Sequence, residues 1–301
     1  MKRAMLIYNP AARHAPNVEQ LRAAAASVDG WQITLRPTEH AKHATALAAT
    51  AAAEGLDAVI ACGGDGTVNE VANGLAGSST ALAVVRGGTA NVWAKEIGVP
   101  KDATKALRLL SEGEVRPIDL GRAGERHFVL MAGVGFDAAV VREIGPVAKR
   151  RVGAAAFVVS GLRKAIGHRS VEAELTADDA SISGELYWML LGNSRSYGGV
   201  LNVTGRARID DGRLQMYLLR RGGLLRLLWL LPWVVLGRHY QRPHAVSRDV
   251  AALEVRTPGL PVQIDGEYAG ETPLRFAIVP QALRVIVPRG LKTPLFRDNH
   301  S

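Results

Sequence analysis

The chain has 301 residues, 48% of them hydrophobic and 22% charged. That balance excludes disorder on the scale of a domain and suggests about two domains. A formal charge of +9 favours an acidic partner: nucleotide, nucleic acid or anionic membrane. Basic residues are scattered apart from Lys149–Arg150–Arg151 and Arg220–Arg221. The few aromatic residues form no repeated pattern with them, which leaves no strong case for single-strand nucleic-acid binding. The single cysteine, Cys62, excludes an intrachain disulfide and reads as a small core residue. No secretory leader is read at Met1.

In chain order, Ala4–Tyr8 reads as an apolar strand ended by Asn9–Pro10. Val18–Val28 is alanine-rich and helical, Trp31–Arg36 alternates like a strand, and Ala41–Glu54 is helical again. Ala58–Ala61 is a strand, Gly63–Gly66 a glycine turn and Val68–Leu75 a helical pattern. Ala81–Val85 is a strand that runs into Gly87–Gly88. Such alternation predicts a parallel sheet with helical crossovers. After about residue 120 the grammar changes. His127–Met131, Glu185–Leu191, Leu214–Leu219, Ala251–Arg256, Val262–Ile264 and Leu283–Val287 read as strands with few helices between them, which predicts a mostly antiparallel β domain. The polar end, Leu291 to Ser301, either frays or docks back on the first domain.

Cys62–Gly63–Gly64–Asp65–Gly66–Thr67 follows a strand and opens a helix. Glycines let backbone approach a bulky anion, and the start of a helix offers unpaired N–H groups and a positive dipole end. Thr67 is placed to cap a helix beginning near it, with Glu70 three residues on as in a capping box. Asp65 has two readings. One is a Mg²⁺ ligand, since a carboxylate beside phosphate needs a cation between them; the other is a turn aspartate bonding its own backbone. The flanking strand and helix favour the first. The loop is neither a Walker sequence nor a dinucleotide fingerprint. Gly87–Gly88–Thr89–Ala90–Asn91 also follows a strand. With Asn9–Pro10–Ala11 it would bring three loops to the carboxyl edge of one sheet, where ligands bind; for any one turn, plain chain reversal is the competing reading.

These residues make the chain recognisable. Tyr8–Asn9–Pro10, Gly63–Gly64–Asp65–Gly66–Thr67 with Asn69–Glu70, and Gly88–Thr89–Ala90–Asn91 are followed by Ile118–Asp119–Leu120–Gly121 and by Gly192–Asn193 with Tyr197–Gly198–Gly199. Asp210–Asp211–Gly212 and Asp265–Gly266–Glu267 complete the series. In this order the chain resembles bacterial soluble lipid kinases of the diacylglycerol kinase catalytic-domain family, with sphingosine kinases as more distant relatives. The resemblance implies an NAD kinase-like two-domain fold: an ATP-binding α/β domain of residues 1–122 with about 288–301, and a β-rich lipid domain of 123–287. It implies ATP held by Asn9, Pro10, Ala11, Ala12, Arg13 and Thr38, by Gly63, Gly64, Asp65, Gly66, Thr67, Val68, Asn69 and Glu70, and by Gly88, Thr89 and Asn91. It implies Mg²⁺ near Asp65 and Asp119, and a structural Mg²⁺ near Asp211 with backbone carbonyls of Arg208 and Arg213. Two departures stand out. Many relatives have an aspartate where this chain has Val92. Two arginines occupy structural-metal positions, and an arginine side chain cannot ligate a cation.

Gln263–Ile264–Asp265–Gly266–Glu267 reads on its own as a hairpin turn. With the resemblance, Asp265 and Glu267 become candidates for the base that takes a proton from an attacking hydroxyl. Two apart on an extended segment, they are expected to face one side. Asp65 completes the catalytic set. Lys95 and Arg86 read as phosphate neutralisers or as solvated surface charges. The run 224–236 is too short to span a membrane and contains Arg226 and Pro232. It reads as a buried helix or as an interfacial segment; its flanking arginines suit an anionic membrane touched through residues 220–238. The expectation is a cytoplasmic, peripherally membrane-associated, ATP- and Mg²⁺-dependent lipid kinase, with diacylglycerol as leading substrate and a homodimer allowed. The alternatives are a kinase of a sphingoid base or phosphatidylglycerol, an NAD kinase, a non-catalytic nucleotide- or lipid-binding regulator, and a nucleic-acid binder suggested by charge alone.

Overall fold

The computed structural model describes the backbone of residues 1–297 and their side chains except those of 145–159 and 162. The side chains of Lys149–Arg150–Arg151 therefore lie outside the described residues. Two compact units make up the chain: Met1–Leu120 with Pro280–Ser301, and Gly121–Val279.

The first unit contains β1 (Lys2–Tyr8), α1 (Val18–Ala26), β2 (Trp31–Pro37), α2 (His43–Ala53), β3 (Ala58–Gly63), α3 (Asp65–Leu75), β4 (Ala81–Arg86), α4 (Val92–Glu96), α5 (Ala103–Glu112) and most of β5 (Glu114–Ala123). Its strands run parallel in the order β2-β1-β3-β4. The chain goes from β1 outward to β2, then back past β1 to β3 and β4, so the winding reverses beside β1. β3 is buried throughout and β4 almost so, as central parallel strands require, whereas β2 alternates because it is an edge. Cys62 is wholly buried in β3, and burial pushes its thiol up to about 12. That is a core residue without nucleophilic character.

Local chemistry fixes the helix starts. Asn17 and Gln20 exchange side-chain to backbone bonds of 2.8 and 3.0 Å, a capping box that opens α1. Asp102 caps α5 by accepting from Lys105 N at 2.9 Å. α2 has no cap of its own, since Lys42 before it is left-handed (φ 66°) and contributes no side-chain bond. The acceptor comes instead from the neighbouring helix: Glu70 Oε2 accepts from Ala44 N at 3.2 Å. Near the end of the chain, Leu295 and Phe296 are buried, and the Arg116 guanidinium lies over the Phe296 ring.

The second unit contains β6 (Arg126–Phe128), β7 (Met131–Gly135), α6 (Phe136–Gly167), β8 (Val171–Ala177), β9 (Ala180–Leu186), β10 (Trp188–Gly192), β11 (Leu214–Leu219), α7 (Leu224–Val235), β12 (Ala245–Val250), β13 (Ala252–Val255), β14 (Pro261–Ile264) and β15 (Glu267–Glu271). β16 (Leu274–Val287) begins here and ends in the first unit. One antiparallel sheet has the order β12-β11-β10-β7-β14-β15; a second antiparallel group joins β9, β8, β13 and the start of β16. Phe128, Val134, Leu175, Met189, Met216, Leu253, Val262 and Phe276 belong to their shared core. Each such side chain contributes roughly 1.5–3 kcal/mol of burial.

The fold predicted from sequence, parallel α/β followed by antiparallel β, is the fold observed. Several elements differ. His127–Met131 is not one strand, because the N–H groups of Val129, Leu130 and Met131 all turn onto the Asp265 carboxylate. Glu185–Leu191 breaks at Tyr187, whose N–H pairs with Leu219 O. The last strand starts at Leu274 rather than Leu283. The 32-residue α6 was not expected. Its alanines and valines lack a clean apolar stripe, and Pro146 reads as a breaker.

α2 and α3 pack so closely that a Cβ on Gly74 would overlap the Thr45 carbonyl and lie 2.7 Å from Ala48 Cβ. In an open helix, Gly→Ala stabilises by ~1 kcal/mol. Here overpacking reverses the sign, and Gly74→Ala should cost about 1–3 kcal/mol, read as a lower urea midpoint. A second test concerns Asp137 in the first turn of α6. Its burial pushes the carboxyl from 3.8 up to about 7, against hydrogen bonds from Gln263 and Ala138 that lower it. The folded form therefore holds its proton to higher pH than the unfolded chain. This contribution is most favourable below about pH 4 and is lost as pH rises to 7, by up to about 4 kcal/mol. Asp137→Asn removes the slope. Urea unfolding should show the stability difference moving in the variant's favour between about pH 4.5 and 7.5, and parallel pH profiles would refute it.

Candidate active site

The carboxyl edge of the first unit's sheet is where the predicted loops after β1, β2, β3 and β4 gather. After β1, Asn9 N donates to Cys62 O at 3.0 Å; after β2, Thr38 N donates to Tyr8 O at 2.9 Å; after β4, Gly87 N donates to Gly63 O at 2.9 Å. His14 N closes the set on Gly87 O at 3.1 Å. The loops after β1, β3 and β4 are thus laced to each other by backbone bonds. A Cβ on Gly88 would lie 2.5 Å from Gly64 Cα, and one on Gly87 would lie 3.0 Å from Gly63 Cα. The two glycine turns lie backbone to backbone, which only residues without side chains allow.

Within this edge, α3 begins at Asp65, two residues before the expected start, with Gly64 as an N-cap that has no side-chain acceptor. Thr67 is therefore not the cap; it is buried in the first turn, packed over Gly63. Glu70 makes no capping box either, since its carboxylate serves Ala44. Asp65 Oδ1 accepts from Trp93 N at 3.1 Å, which ties the start of α3 to α4. Asn9 Oδ1 accepts from Ala11 N at 2.9 Å and shapes the first loop; Pro10 is exposed, Ala12 half-buried and Arg13 exposed. Asn69 is buried, with Asn73 Nδ2 donating to its carbonyl at 2.9 Å, and Val68 is core. Asn91 is left-handed (φ 48°); its side chain both accepts from Gly88 N and donates to Gly88 O, while Thr89 stays exposed. Val92 is buried in α4, an apolar position. Arg86 is no solvated surface charge. It is half-buried, donates to Ala94 O, and burial lowers its pKa. Asp119 is buried, with its Oδ1 accepting from Gln281 N at 2.8 Å.

The remaining predicted residues belong to the second unit. Asp265 and Glu267 do not share an extended segment. Asp265 (φ 46°) and Gly266 (φ 77°) form the two-residue turn of the β14–β15 hairpin, the left-handed pair that Asp-Gly favours. The Asp265 carboxylate accepts from Val129, Leu130 and Met131 N, each at 2.9 Å. Glu267, the first residue of β15, has a half-exposed side chain and pairs with Arg126 at 2.7 Å. Asp211 Oδ1 accepts from Arg213 N at 2.9 Å, Arg213 reaches Asp178, and Arg208 is exposed. Among the described residues, no three His, Cys, Asp or Glu side chains gather as metal ligands.

Sequence reasoning missed the residues that hold this turn: Arg126, the three amides at 129–131, and the buried pair Gln263 and Asp137. The available signal was Gly133–Val134–Gly135–Phe136–Asp137, a glycine-spaced strand running into an acidic helix start. No helix among the described residues is long and apolar enough to cross a membrane.

The geometry has counterparts. The family model described as diacylglycerol kinase catalytic domain matches residues 3–123, and that described as YegS C-terminal NAD kinase beta sandwich-like domain matches 131–287. A diacylglycerol kinase of Bacillus subtilis (strain 168) is 29% identical over 299 residues, covering 96% of this chain and 97% of that protein. A diacylglycerol kinase of Staphylococcus aureus (strain MRSA252) is 28% identical over 305 residues, covering 99% and 97%. A solved Bacillus anthracis str. Sterne structure superposes with a TM-score of 0.80 at 23% identity over 97% of both chains, which shows the shared fold. The chain belongs to the diacylglycerol kinase catalytic-domain family and is a phosphotransferase with an alcohol acceptor, joined to a YegS C-terminal NAD kinase beta sandwich-like domain.

Proposed function

We propose that this enzyme transfers the γ-phosphoryl group of ATP, with Mg²⁺, to the free hydroxyl of diacylglycerol, giving phosphatidic acid. The observation that carries the reading is the laced carboxyl edge of the first unit, where glycine backbones, the start of α3 and Asp65 lie together. A helix start without a side-chain cap leaves N–H donors for phosphate oxygens. The residues Asn9–Arg13, Thr38, Gly63–Glu70, Gly88, Thr89 and Asn91 would frame the nucleotide, with the half-buried Arg86 adding positive charge.

The donor chemistry fits Mg²⁺. The ion takes hard oxygen ligands and is commonly bound through one or two carboxylates with substrate phosphates, so a cage of three acidic side chains is not needed. Asp65 would hold it with Asp119, and it would neutralise charge on the phosphates. A second, structural ion would have Asp211 as its lone carboxylate, beside the carbonyls of Arg208 and Arg213.

In the transfer, the lipid hydroxyl oxygen bonds to the γ-phosphorus as the bond to the β–γ bridging oxygen breaks, ADP leaves, and the hydroxyl proton passes to a carboxylate. The two candidates divide the work. Asp265 spends its acceptor capacity on three backbone amides, which suits a residue that shapes the turn. Glu267 keeps a half-exposed carboxylate and is the better base. Its pairing with Arg126 lies in an exposed setting and ties it only weakly.

α7 supports a lipid rather than a nucleotide as acceptor. Leu225, Leu228, Trp229, Leu231, Val235 and Leu236 are exposed, while Leu230 and Val234 are buried, so one apolar stripe faces outward. Six arginines and no acidic residue occur from Leu214 to Arg248. That combination suits peripheral contact with an anionic membrane.

Two experiments follow. With labelled ATP and a panel of lipid alcohols in mixed micelles, products identified by mass should be diacylglycerol-derived. Asp65→Ala should abolish transfer, and Glu267→Ala should lower kcat by about two decades. Normal turnover in either variant removes that residue from its role; no transfer to any lipid favours a non-catalytic binder. Separately, Leu225→Ser with Trp229→Ser should weaken sedimentation with anionic vesicles and leave transfer to a short-chain, water-soluble diacylglycerol unchanged. If vesicle binding persists, or a concentration-dependent dimer is lost instead, the membrane assignment fails.

A further inference from the structure

Gln263 and Asp137 form a buried pair that touches the acidic turn without being part of it. Both are almost wholly buried. Gln263 Nε2 donates to Asp137 Oδ2 at 2.9 Å, and Gln263 Oε1 accepts from Gly266 N at 2.7 Å. Opposite Gln263 on β7 stands Gly133. A Cβ there would overlap the Asp137 carboxylate and lie 2.7 Å from Gln263 Nε2. Space for the pair exists because residue 133 has no side chain.

The two ends of a primary amide are nearly alike in shape but opposite in hydrogen-bonding sense. Packing alone therefore does not choose which end faces Gly266. An ionised carboxylate does choose, because it only accepts; burial raises the Asp137 carboxyl to about 7, so the choice is enforced above that pH. The carboxylate draws the NH₂ end toward α6 and leaves the oxygen for Gly266 N–H. A reversed amide would set oxygen against carboxylate and NH₂ against N–H, two repulsive contacts in a site without water's screening.

We propose that Asp137 is a positioning residue: it orients the Gln263 amide, which pins Gly266 and so fixes the direction in which Glu267 leaves the turn. Each turn residue then has its own anchor, Asp265 on the amides of 129–131 and Gly266 on Gln263. A base must lie within hydrogen-bond reach of the proton it takes, and a displacement of about 1 Å costs rate steeply. The catalytic consequence rests on the reading of Glu267 as base; the pinning of Gly266 does not.

The test exchanges donor and acceptor. In Asp137→Asn the fixed acceptor is gone and both amides can turn. In the double variant Asp137→Asn/Gln263→Glu, the amide introduced on α6 can donate to a carboxylate on β14 that also accepts from Gly266 N–H, restoring one definite sense to both bonds. Above the Asp137 titration, at about pH 8, hydrogen exchange at Gly266, followed by NMR, should accelerate about tenfold in the single variant, roughly the worth of one hydrogen bond. Its kcat should fall about a hundredfold with KM for ATP unchanged. The double variant should recover both. Parental exchange at Gly266 in Asp137→Asn, or a double variant no better than the single, overturns the proposal. If the parent protein transfers no phosphate, the base reading falls and the exchange rates alone decide the pinning. Should the single variant fail to fold, the parent decides. A Gly266 amide exchanging as fast as a free turn amide overturns the proposal, and a through-bond coupling from Gly266 N to the Gln263 side-chain carbonyl carbon sustains it.

Discussion

The first unit depends on one close approach: two glycine turns lying backbone against backbone at the carboxyl edge of a parallel sheet. The Gly87 N–H bonds Gly63 O, and neither Gly88 nor Gly87 has room for a side chain against Gly64 and Gly63. Because β3 and β4 are adjacent and parallel, their ends meet the same edge. Because β1 lies beside β3 and runs parallel to it, the loop after β1 opens at that edge as well. The result is a surface of main-chain donors at the start of a helix, with one carboxylate, Asp65, held by Trp93 N–H. Such a surface suits phosphate, which backbone N–H groups at a helix start can meet, and the side chains around it shape the loops. Asn9 and Asn91 show this, since each binds its own loop.

Much of this was legible in sequence, for a physical reason. Parallel strands buried on both faces read as short apolar runs, and a glycine pair directly after such a run marks the turn at the sheet's edge. The three loops were therefore found together. What failed was attribution within them. Glu70 three residues after Thr67 matches a capping box, but a carboxylate on α3 also lies beside the bare start of α2, where the left-handed Lys42 provides no acceptor. Sequence spacing shows the local partner and hides the one brought by packing. The same holds for Asp265–Gly266: a turn was evident, whereas its use of three amides from residues 129–131 depends on a contact more than a hundred residues away.

The β unit was harder to read because its strands are interrupted by their own chemistry. The apolar run through His127–Met131 loses its ladder bonds to a carboxylate, so a hydrophobic pattern that signals a strand covers a strand end, a capture site and a new strand. α6 escaped notice for the opposite reason: its pattern is too evenly mixed to show a face. Its first turn nevertheless supplies Asp137, and a buried carboxylate there is costly unless it has partners.

That cost bears on why the turn is built as it is. Two acidic residues, Asp265 and Glu267, lie two apart, yet their environments push them toward different work. Asp265 is surrounded by amide donors and its oxygens are occupied, so it contributes shape. Glu267 meets one guanidinium at the surface and remains available. A type I′ turn leaves little freedom between them, because both central residues are left-handed and the hairpin ladder resumes at Ile264 and Glu267. Anchoring the turn at both residues, by Asp265 on one side and by Gln263 on the other, removes what freedom is left. Burial disfavours the ionised form of Asp137, although Gln263 and Ala138 donate to its carboxyl group. The orientation it imposes on Gln263 is the simplest account of a buried carboxyl group kept beside the support of an acidic turn.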